Sequence, residues 1–385
     1  MIASKIKTYF ETNYAKNPLI VKSPGRINLI GEHTDYNLGY VLPASIEKAI
    51  YFAVSPNNTD KINIETFISS PEKITFDLQG SQTAFEAFWG NYFKAIIEIL
   101  IEKKYPLKGF DCVFGGDIPI GSGLSSSAAL CCGYLHALSK VCDKEIPKEE
   151  IALIAQKAEH RIGLNCGLMD QYAVLFGKRN NALFLDCKDL THKYIPINLD
   201  GYSWALINSN IKHNLAVDSE YNKRRGSCEA IVNTVNEKRP GTSSLRDVTL
   251  DDLKNVQKEV DPIDYKRAHY VLQENNRVLK MMESLNSGDA KTAGNILLEG
   301  HWAMSKEFEI TTEELDFLVE NGQRLEGVMG SRMMGGGFGG CTINLIKTDK
   351  LKENLERMVK DYKDKTGIDA EVYHLKIDDG VHVME

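Results

Sequence analysis

Nothing in this 385-residue chain reads as a membrane span. The stretch Ile118–Ser139 is free of Asp, Glu, Lys and Arg and is long enough to cross a bilayer. Pro119, three glycines, five serines and His136 make it uncharged rather than apolar. The opening residues, MIASKIKTYFETNYAK, lack the apolar core of a secretion signal, so a cytoplasmic protein is expected. The eight cysteines (112, 131, 132, 142, 166, 187, 228 and 341) form no CxxC pair and no metal-finger spacing, and free thiols are expected. The sequon Asn57-Asn58-Thr59 then carries little meaning. Basic charge is not in excess: Lys+Arg is 46 against Asp+Glu 53, a net charge of −7, which excludes a general nucleic-acid binder. It leaves open the binding of one phosphate group through backbone N–H groups. Internal repeats and low-complexity linkers are absent. No Gly-x-x-x-x-Gly-Lys-Ser/Thr run occurs, which excludes a P-loop, and no His-Arg-Asp or Asp-Phe-Gly, which excludes a protein kinase.

What remains is ordinary for a folded protein: 43% hydrophobic and 26% charged residues, enough for two domains with a substantial core each. Strand-like runs crowd the first third, at Leu19–Val21, Val41–Leu42, Ile50–Val54 and the alternating Ile62, Ile64, Thr66; Phe110, Cys112, Phe114 and then Ala182–Leu185 follow. Helical spacing joins Phe85, Phe88/Trp89, Tyr92, Ile96 and Ile99/Leu100, then Ala128 to Leu138, then Ile151 to Ile162. From Lys212 to about Glu326 the chain reads mostly helical, broken at Pro240-Gly241 and Asp261-Pro262. Strands return at Cys341–Ile346 and Ala370–Leu375. Hairpins mixed with helices predict an α+β fold, with a domain boundary at the turn Leu199–Gly201 and hence domains 1–200 and 201–385.

Gly115, Gly116, Gly121 and Gly123 lead into Leu124-Ser125-Ser126-Ser127-Ala128-Ala129, which takes up helical spacing. A glycine-rich loop running into a helix with hydroxyls in its first turn suits an anion. Free N–H groups and the helix dipole face it, and serine hydroxyls can add hydrogen bonds or a magnesium ligand. Alone, such a run reads as a flexible loop; the apolar-periodic helix directly after it argues otherwise. The run Glu32-His33-Thr34-Asp35-Tyr36 sets five polar-capable side chains after an apolar stretch. Such a set suits sugar hydroxyls better than a metal, because successive loop side chains rarely converge on one ion; its plain alternative is a solvated turn. In Glu159-His160-Arg161-Ile162-Gly163-Leu164-Asn165-Cys166-Gly167-Leu168-Met169-Asp170-Gln171-Tyr172, Glu159 closes an amphipathic helix and Asp170 stands in apolar company. A carboxylate so placed is costly unless paired or used, the alternative being a capped helix end. Gly335-Gly336-Gly337-Phe338-Gly339-Gly340 contains Gly-x-Gly-x-x-Gly, but the strand-like Cys341–Ile346 follows it, where a dinucleotide fingerprint would open a helix. It reads as a loop that lets backbone approach closely at the domain interface.

These segments together resemble the galactokinases, within the GHMP family of small-molecule kinases. Gly25-Arg26-Ile27-Asn28-Leu29-Ile30-Gly31-Glu32-His33-Thr34-Asp35-Tyr36-Asn37 is similar to the galactokinase signature, the serine loop to the family's phosphate-binding loop, and Gly335–Cys341 to its third motif. Cys166–Gln171, Ser219–Arg225, Leu245–Thr249 and Glu274–Arg277 are also galactokinase-like, so the resemblance covers nearly the whole chain. Ala129-Leu130-Cys131-Cys132 and Lys223 depart from commoner family residues at positions with no assigned role. The resemblance implies a two-domain GHMP kinase fold, with an N-terminal mixed-sheet domain, a C-terminal ferredoxin-like domain and the active site between them. By the same resemblance Asp170 is the catalytic carboxylate and Arg26 its charged partner. Glu32, His33, Thr34, Asp35 and Tyr221 bind sugar with Asp170; Gly121, Ser122, Gly123, Leu124, Ser125, Ser126 and Ser127 bind ATP; and Ser127 with Glu159 holds magnesium.

The reaction so implied moves the γ-phosphoryl of ATP to the anomeric hydroxyl of α-D-galactose, in a monomer that needs no nucleic acid or membrane. Arg26 close to Asp170 should lower the carboxyl pKa. Lys223-Arg224-Arg225 reads as a solvated helix face rather than a phosphate clamp. The rival readings are an inactive sugar sensor on the same fold, a kinase for N-acetylgalactosamine or arabinose, and a nicotinamide oxidoreductase using the glycine run at 335–340. The complete Ser125–Ala129 run, with Asp170 and Arg26, argues against the sensor, and the strand after the glycine run against the oxidoreductase.

Overall fold

The chain opens on helix α1 (Ile2–Tyr14), whose Ala3, Ile6 and Phe10 recur at helical spacing and are buried. In this computed structural model residues 2–384 are described, apart from 69, 79–84, 120, 143, 165, 212–216 and the side chains of 217–219. Asn165 and the first residues of the helical stretch expected from Lys212 thus lie outside the described residues. Strands β1 (Leu19–Asn28), β2 (Tyr40–Val41), β3 (Pro43–Pro56), β4 (Lys61–Thr66) and β5 (Lys73–Asp77) follow α1, then α2 (Phe88–Glu102) and β6 (Phe110–Gly116). Three helices come next, α3 (Ser126–Val141), α4 (Lys148–Arg161) and α5 (Met169–Phe176), and then the hairpin β7 (Asn181–Asp186) and β8 (Thr191–Pro196). After β9 (Tyr202–Asn208) the chain is helical through α6 (Val217–Lys238), α7 (Leu250–Val256), α8 (Pro262–Ser287), α9 (Ala290–Ala303) and α10 (Glu313–Gln323). It ends in β10 (Val328–Met334), β11 (Cys341–Lys347), α11 (Leu351–Thr366), β12 (Glu371–His374) and β13 (His382–Val383).

The first sheet has the order β13-β1-β3-β6-β4-β5 and is mixed, because β4 and β6 pair in parallel while its other pairs are antiparallel. The second sheet has the order β10-β11-β9-β12. Numbered along the chain its strands run 4-1-3-2 from the β12 edge, the antiparallel arrangement of a ferredoxin-like layer. The α+β architecture expected from the sequence is therefore present in both halves. The breaks in the helical region have local causes. Pro262 occupies the first turn of α8 behind an Asp261 cap; Gly288 ends α8 at φ +75°, and the Asp289 carboxylate accepts from Thr292 N–H to start α9.

Helix α3 explains the uncharged stretch. Every residue from Ala128 to Ser139 is buried, because the helix lies between β1 and β3 on one side and α4 and α5 on the other. A helix enclosed on all faces has no position for a charge. Gly133 sets its approach: a Cβ there would lie 2.4 Å from the Phe52 ring on β3. A separate apolar cluster joins the halves, with Ile27, Leu29 and Ile30 from the first and Leu206, Val278, Leu297 and Ile343 from the second. Among the described residues no helix is long and apolar enough to cross a membrane.

Candidate active site

A cleft of about 240 Å³ receives residues from both halves of the chain: Arg26, Glu32, His33, Asp35, Ser127, Glu159 and Asp170 from the first, and Tyr221, Gly335 and Gly336 from the second. Arg26 reaches it from the end of β1 and Asp170 from the first turn of α5. Arg26 Nε donates to Asp170 Oδ1 at 2.7 Å and Nη2 to Oδ2 at 3.0 Å, a bidentate pair with the arginine almost wholly buried. The third guanidinium nitrogen donates to Gly123 O, and the Arg26 backbone N–H to Leu124 O at 3.2 Å, so the same residue anchors the serine loop.

That loop turns through Gly121 (φ +75°) and Gly123 (φ +72°), and Ser125 begins α3 at φ +57°. The Ser125 hydroxyl makes no capping bond; it donates to Asp170 Oδ2 instead. The first turn of α3 thus has no side-chain cap, which suits a site meant for an external anion. Ser122 is buried and donates to Pro119 O at 2.8 Å, and Leu124 is buried in the core, so these two shape the loop from within. Of the seven loop residues only Ser127 lines the cleft.

The polar run after β1 divides. Glu32 is fully buried, with Oε1 accepting from Gly335 N–H at 3.0 Å and Oε2 lying 2.5 Å from Arg332 Nη1. Burial raises its pKa and Arg332 works against that rise. His33, at φ +61°, places Nε2 3.3 Å from Gly336 O and Nδ1 2.9 Å from Tyr36 Oη. A carbonyl only accepts, so Nε2 carries the proton and Nδ1 accepts from the tyrosine. Burial lowers the His33 pKa to about 4, which keeps the ring neutral. Its ring packs against Tyr221 (5.1 Å between centroids) and Phe308 (4.9 Å). Burial, then the charge of Asp170, raises the Asp35 pKa to about 6. Gly167 is the only residue type that fits beside Asp35, since a Cβ there would lie 1.9 Å from Asp35 Oδ2.

Thr34 is fully buried and is not among the residues that line the cleft; its hydroxyl lies 2.9 Å from Gly31 O and 2.6 Å from Tyr40 O, which holds the turn. One expectation is corrected. Arg224 is not part of a solvated face. It is 3% exposed and donates to Phe308 O (3.1 Å) and Glu309 O (2.5 Å), while Lys223 is exposed and Arg225 half-buried, and they pair with Glu220 and Glu229. A carbonyl cluster at a helix end attracts the middle cation inward, and the sequence pattern carries no sign of it.

At the far end of the cleft Glu159 is 3% exposed. Burial raises its pKa to about 7, against the hydrogen bonds of Ser127 and Gln171. The Cys166 thiol lies 3.6 Å from Glu159 Oε2 and is itself pushed up by burial, so it is not a nucleophile at neutral pH. Among the described residues no group of three or more His, Cys, Asp or Glu side chains could cage an ion. One hydroxyl and one carboxylate beside a helix N-terminus are hard oxygen donors of the kind a magnesium ion with its own waters accepts.

The chain matches three family models: the galactokinase galactose-binding signature over residues 8–56, the GHMP kinases N-terminal domain over 91–178 and the GHMP kinases C-terminal domain over 281–365. It is 38% identical over 362 residues to a galactokinase of Thermotoga maritima, covering 94% of this chain and 99% of that protein. It is 37% identical over 386 residues to a galactokinase of Clostridium acetobutylicum, covering 99% and 97%. Among solved structures, the Lactococcus lactis galactokinase complexed with galactose superposes with a TM-score of 0.92 at 31% identity over all of both chains. A mevalonate kinase, at 19% identity and a TM-score of 0.65, shares the fold.

Proposed function

The chain belongs to the galactokinase family of GHMP kinases, and from that premise we propose how its cleft residues share the work. The enzyme is an ATP-dependent sugar kinase that forms galactose 1-phosphate and ADP from galactose and ATP. The observation that carries the assignment of roles is the bidentate Arg26–Asp170 pair, set between the serine loop and the polar run of Glu32 to Asp35.

Asp170 orients the anomeric hydroxyl and accepts its proton as O1 bonds to the γ-phosphorus and the bond to the β-phosphate oxygen breaks. Both carboxylate oxygens are already held, Oδ1 by Arg26 and Oδ2 by Arg26 and Ser125, which supports a fixed base with little freedom left. Arg26 places positive charge beside the transferring group, where charge on the equatorial oxygens must be neutralised. Glu32, neutral His33, Asp35 and Tyr221 receive the ring hydroxyls. A site that bonds hydroxyls rejects a sugar lacking one more strongly than it would reject a missing methylene, because a buried polar group is left unpaired. The N-terminus of α3 with Ser125, Ser126 and Ser127 holds the phosphates, the loop Gly121–Leu124 setting its path. Ser127 and Glu159 would hold magnesium, which when bound neutralises phosphate charge. Thr34 serves this site only through the turn it ties.

The same reading sets the domain boundary at residues 200–201, between β8 and β9. It makes the enzyme a cytoplasmic monomer, in keeping with eight cysteines that form no disulfide and a cleft built from one chain. The test is ATP turnover against galactose, glucose, N-acetylgalactosamine and arabinose in parallel. Galactose should give the highest kcat/KM by about tenfold or more. Equal turnover of glucose would sink the assignment of the ring-hydroxyl readers.

A further inference from the structure

Among the described residues Arg332 is the largest of the fully buried side chains. It stands on β10 in the second half of the chain, three residues before the glycine loop. Its Nε donates to Leu29 O at 2.9 Å and Nη2 to Asn28 O at 2.7 Å, capping the carbonyls where β1 ends. Nη1 donates to Met333 O at 2.9 Å and faces Glu32 Oε2 at 2.5 Å. Three carbonyls and one carboxylate around one planar fork fix the guanidinium in position. Glu32 has equally little choice. Its other oxygen accepts from Gly335 N–H, on the loop that Arg332 leads into.

We propose that Arg332 is a positioning residue for galactose, aiming the Glu32 carboxylate into the cleft by gripping it from the opposite half of the chain. The inference rests on the reading of Glu32 as a sugar-binding residue. Without Arg332, Glu32 is a buried carboxylate that still feels the charge of Glu274 of α8, itself paired with Arg277. Gly335 N–H of the glycine loop and Tyr270 of α8, whose hydroxyl donates to Glu32 O at 3.2 Å, complete its polar surroundings. Burial and Glu274 both favour the protonated acid, which Arg332 opposes. A protonated Glu32 loses acceptor capacity toward a ring hydroxyl. A fork also sets direction, and a lysine at this position keeps the charge but not the aim.

The experiment compares steady-state kinetics of wild type, Arg332→Lys, Arg332→Met and Glu32→Gln, with galactose and ATP each varied between pH 6 and 9. Arg332→Lys should raise the galactose KM about tenfold at pH 7, with the ATP KM within about twofold and kcat within about threefold. In Arg332→Met the galactose KM should be higher still and should recover toward the lysine variant as pH rises and Glu32 ionises. A merely structural arginine would move both KM values together with no recovery at high pH, and that result overturns the proposal. If Arg332→Met does not fold, the lysine variant decides alone: a galactose KM within twofold of wild type overturns it. Glu32→Gln separates the two layers. If it leaves the galactose KM unchanged, the reading of Glu32 itself fails; if it raises that KM while the Arg332 variants do not, only the positioning role fails.

Discussion

At the end of the cleft proposed for the sugar, Asp170 lies 2.7 Å from Arg26 and Glu32 lies 2.5 Å from Arg332, so each carboxylate meets a guanidinium of its own chain. At the end proposed for the phosphates Glu159, nearly as deeply buried as Glu32, is met by a hydroxyl, an amide and a thiol, with no cation in its hydrogen-bond set among the described residues. The first arrangement is complete before any ligand arrives and holds its acceptors in fixed directions. The second is short of one positive charge, which a divalent cation brought with the nucleotide can supply. Geometry that must discriminate between hydroxyls is built in advance; charge that arrives with a substrate is not duplicated by the protein.

The largest expected effect breaks the paired end. Asp170→Asn keeps the size of the side chain but removes the base, and kcat should fall by roughly two to four powers of ten while galactose binding, measured by calorimetry, changes little. Near-normal turnover in this variant would remove Asp170 from the mechanism.

The next prediction concerns the unpaired end and its sign in pH. A Glu159 carboxyl raised from its ordinary 4.5 to about 7 in the folded protein contributes nothing below pH 4.5 and a full destabilisation above pH 7. His33 and His136, both lowered to about 4, act in the opposite sense, so the stability of the wild type alone does not isolate the term. The difference between Glu159→Gln and wild type does. Without divalent cations the variant should match wild type at pH 4.5 and exceed it by on the order of 3 kcal/mol at pH 8, by urea denaturation. A gap that stays flat with pH would mean that Glu159 is not strained by its surroundings. In kinetics the same variant should need about tenfold more magnesium for half-maximal rate, sharpening the contrast with Glu32→Gln, whose magnesium requirement should not move.

The smallest effect tests Thr34, whose hydroxyl holds the turn. Thr34→Val deletes the one hydroxyl proton shared between Gly31 O and Tyr40 O and should lower stability by about 1–3 kcal/mol, with the galactose KM within about twofold of wild type. A large KM change with unaltered stability would return Thr34 to the sugar.

Much of the candidate site was legible because its residues sit in short contiguous runs. The serine loop, the run of Glu32 to Asp35 and the pair Glu159 and Asp170 each break an apolar pattern with polar residues. What escaped was set by contacts distant in sequence. Arg332 lies in Val328–Met334, a segment with no strand period strong enough to single it out, and its partners are 303 and 304 residues away. Arg224 hides between two basic residues that reach solvent. The fold was missed chiefly where elements are short or depend on tertiary cover. β13 has two residues, and α1 alternates charge with single apolar side chains whose purpose is clear only against the sheet. The uncharged stretch before Val141 signalled burial, but only the packing of α3 shows that all its faces are enclosed.

The hydrogen bond from Arg332 to Asn28 has a consequence for how the protein is made. The segment with Glu32 to Asp35 is synthesised early, but the cation that holds Glu32 follows 300 residues later. At about 5–20 residues per second the ribosome needs roughly 15–60 s to deliver it. During that interval the nascent chain carries a carboxylate destined for burial and the open carbonyls of β1, and β1 also waits for Val383 to pair with Val21. The sugar-reading end of the cleft is thus encoded near the start of the message and becomes competent only near its end, so a chain stalled midway exposes a binding segment that cannot yet bind.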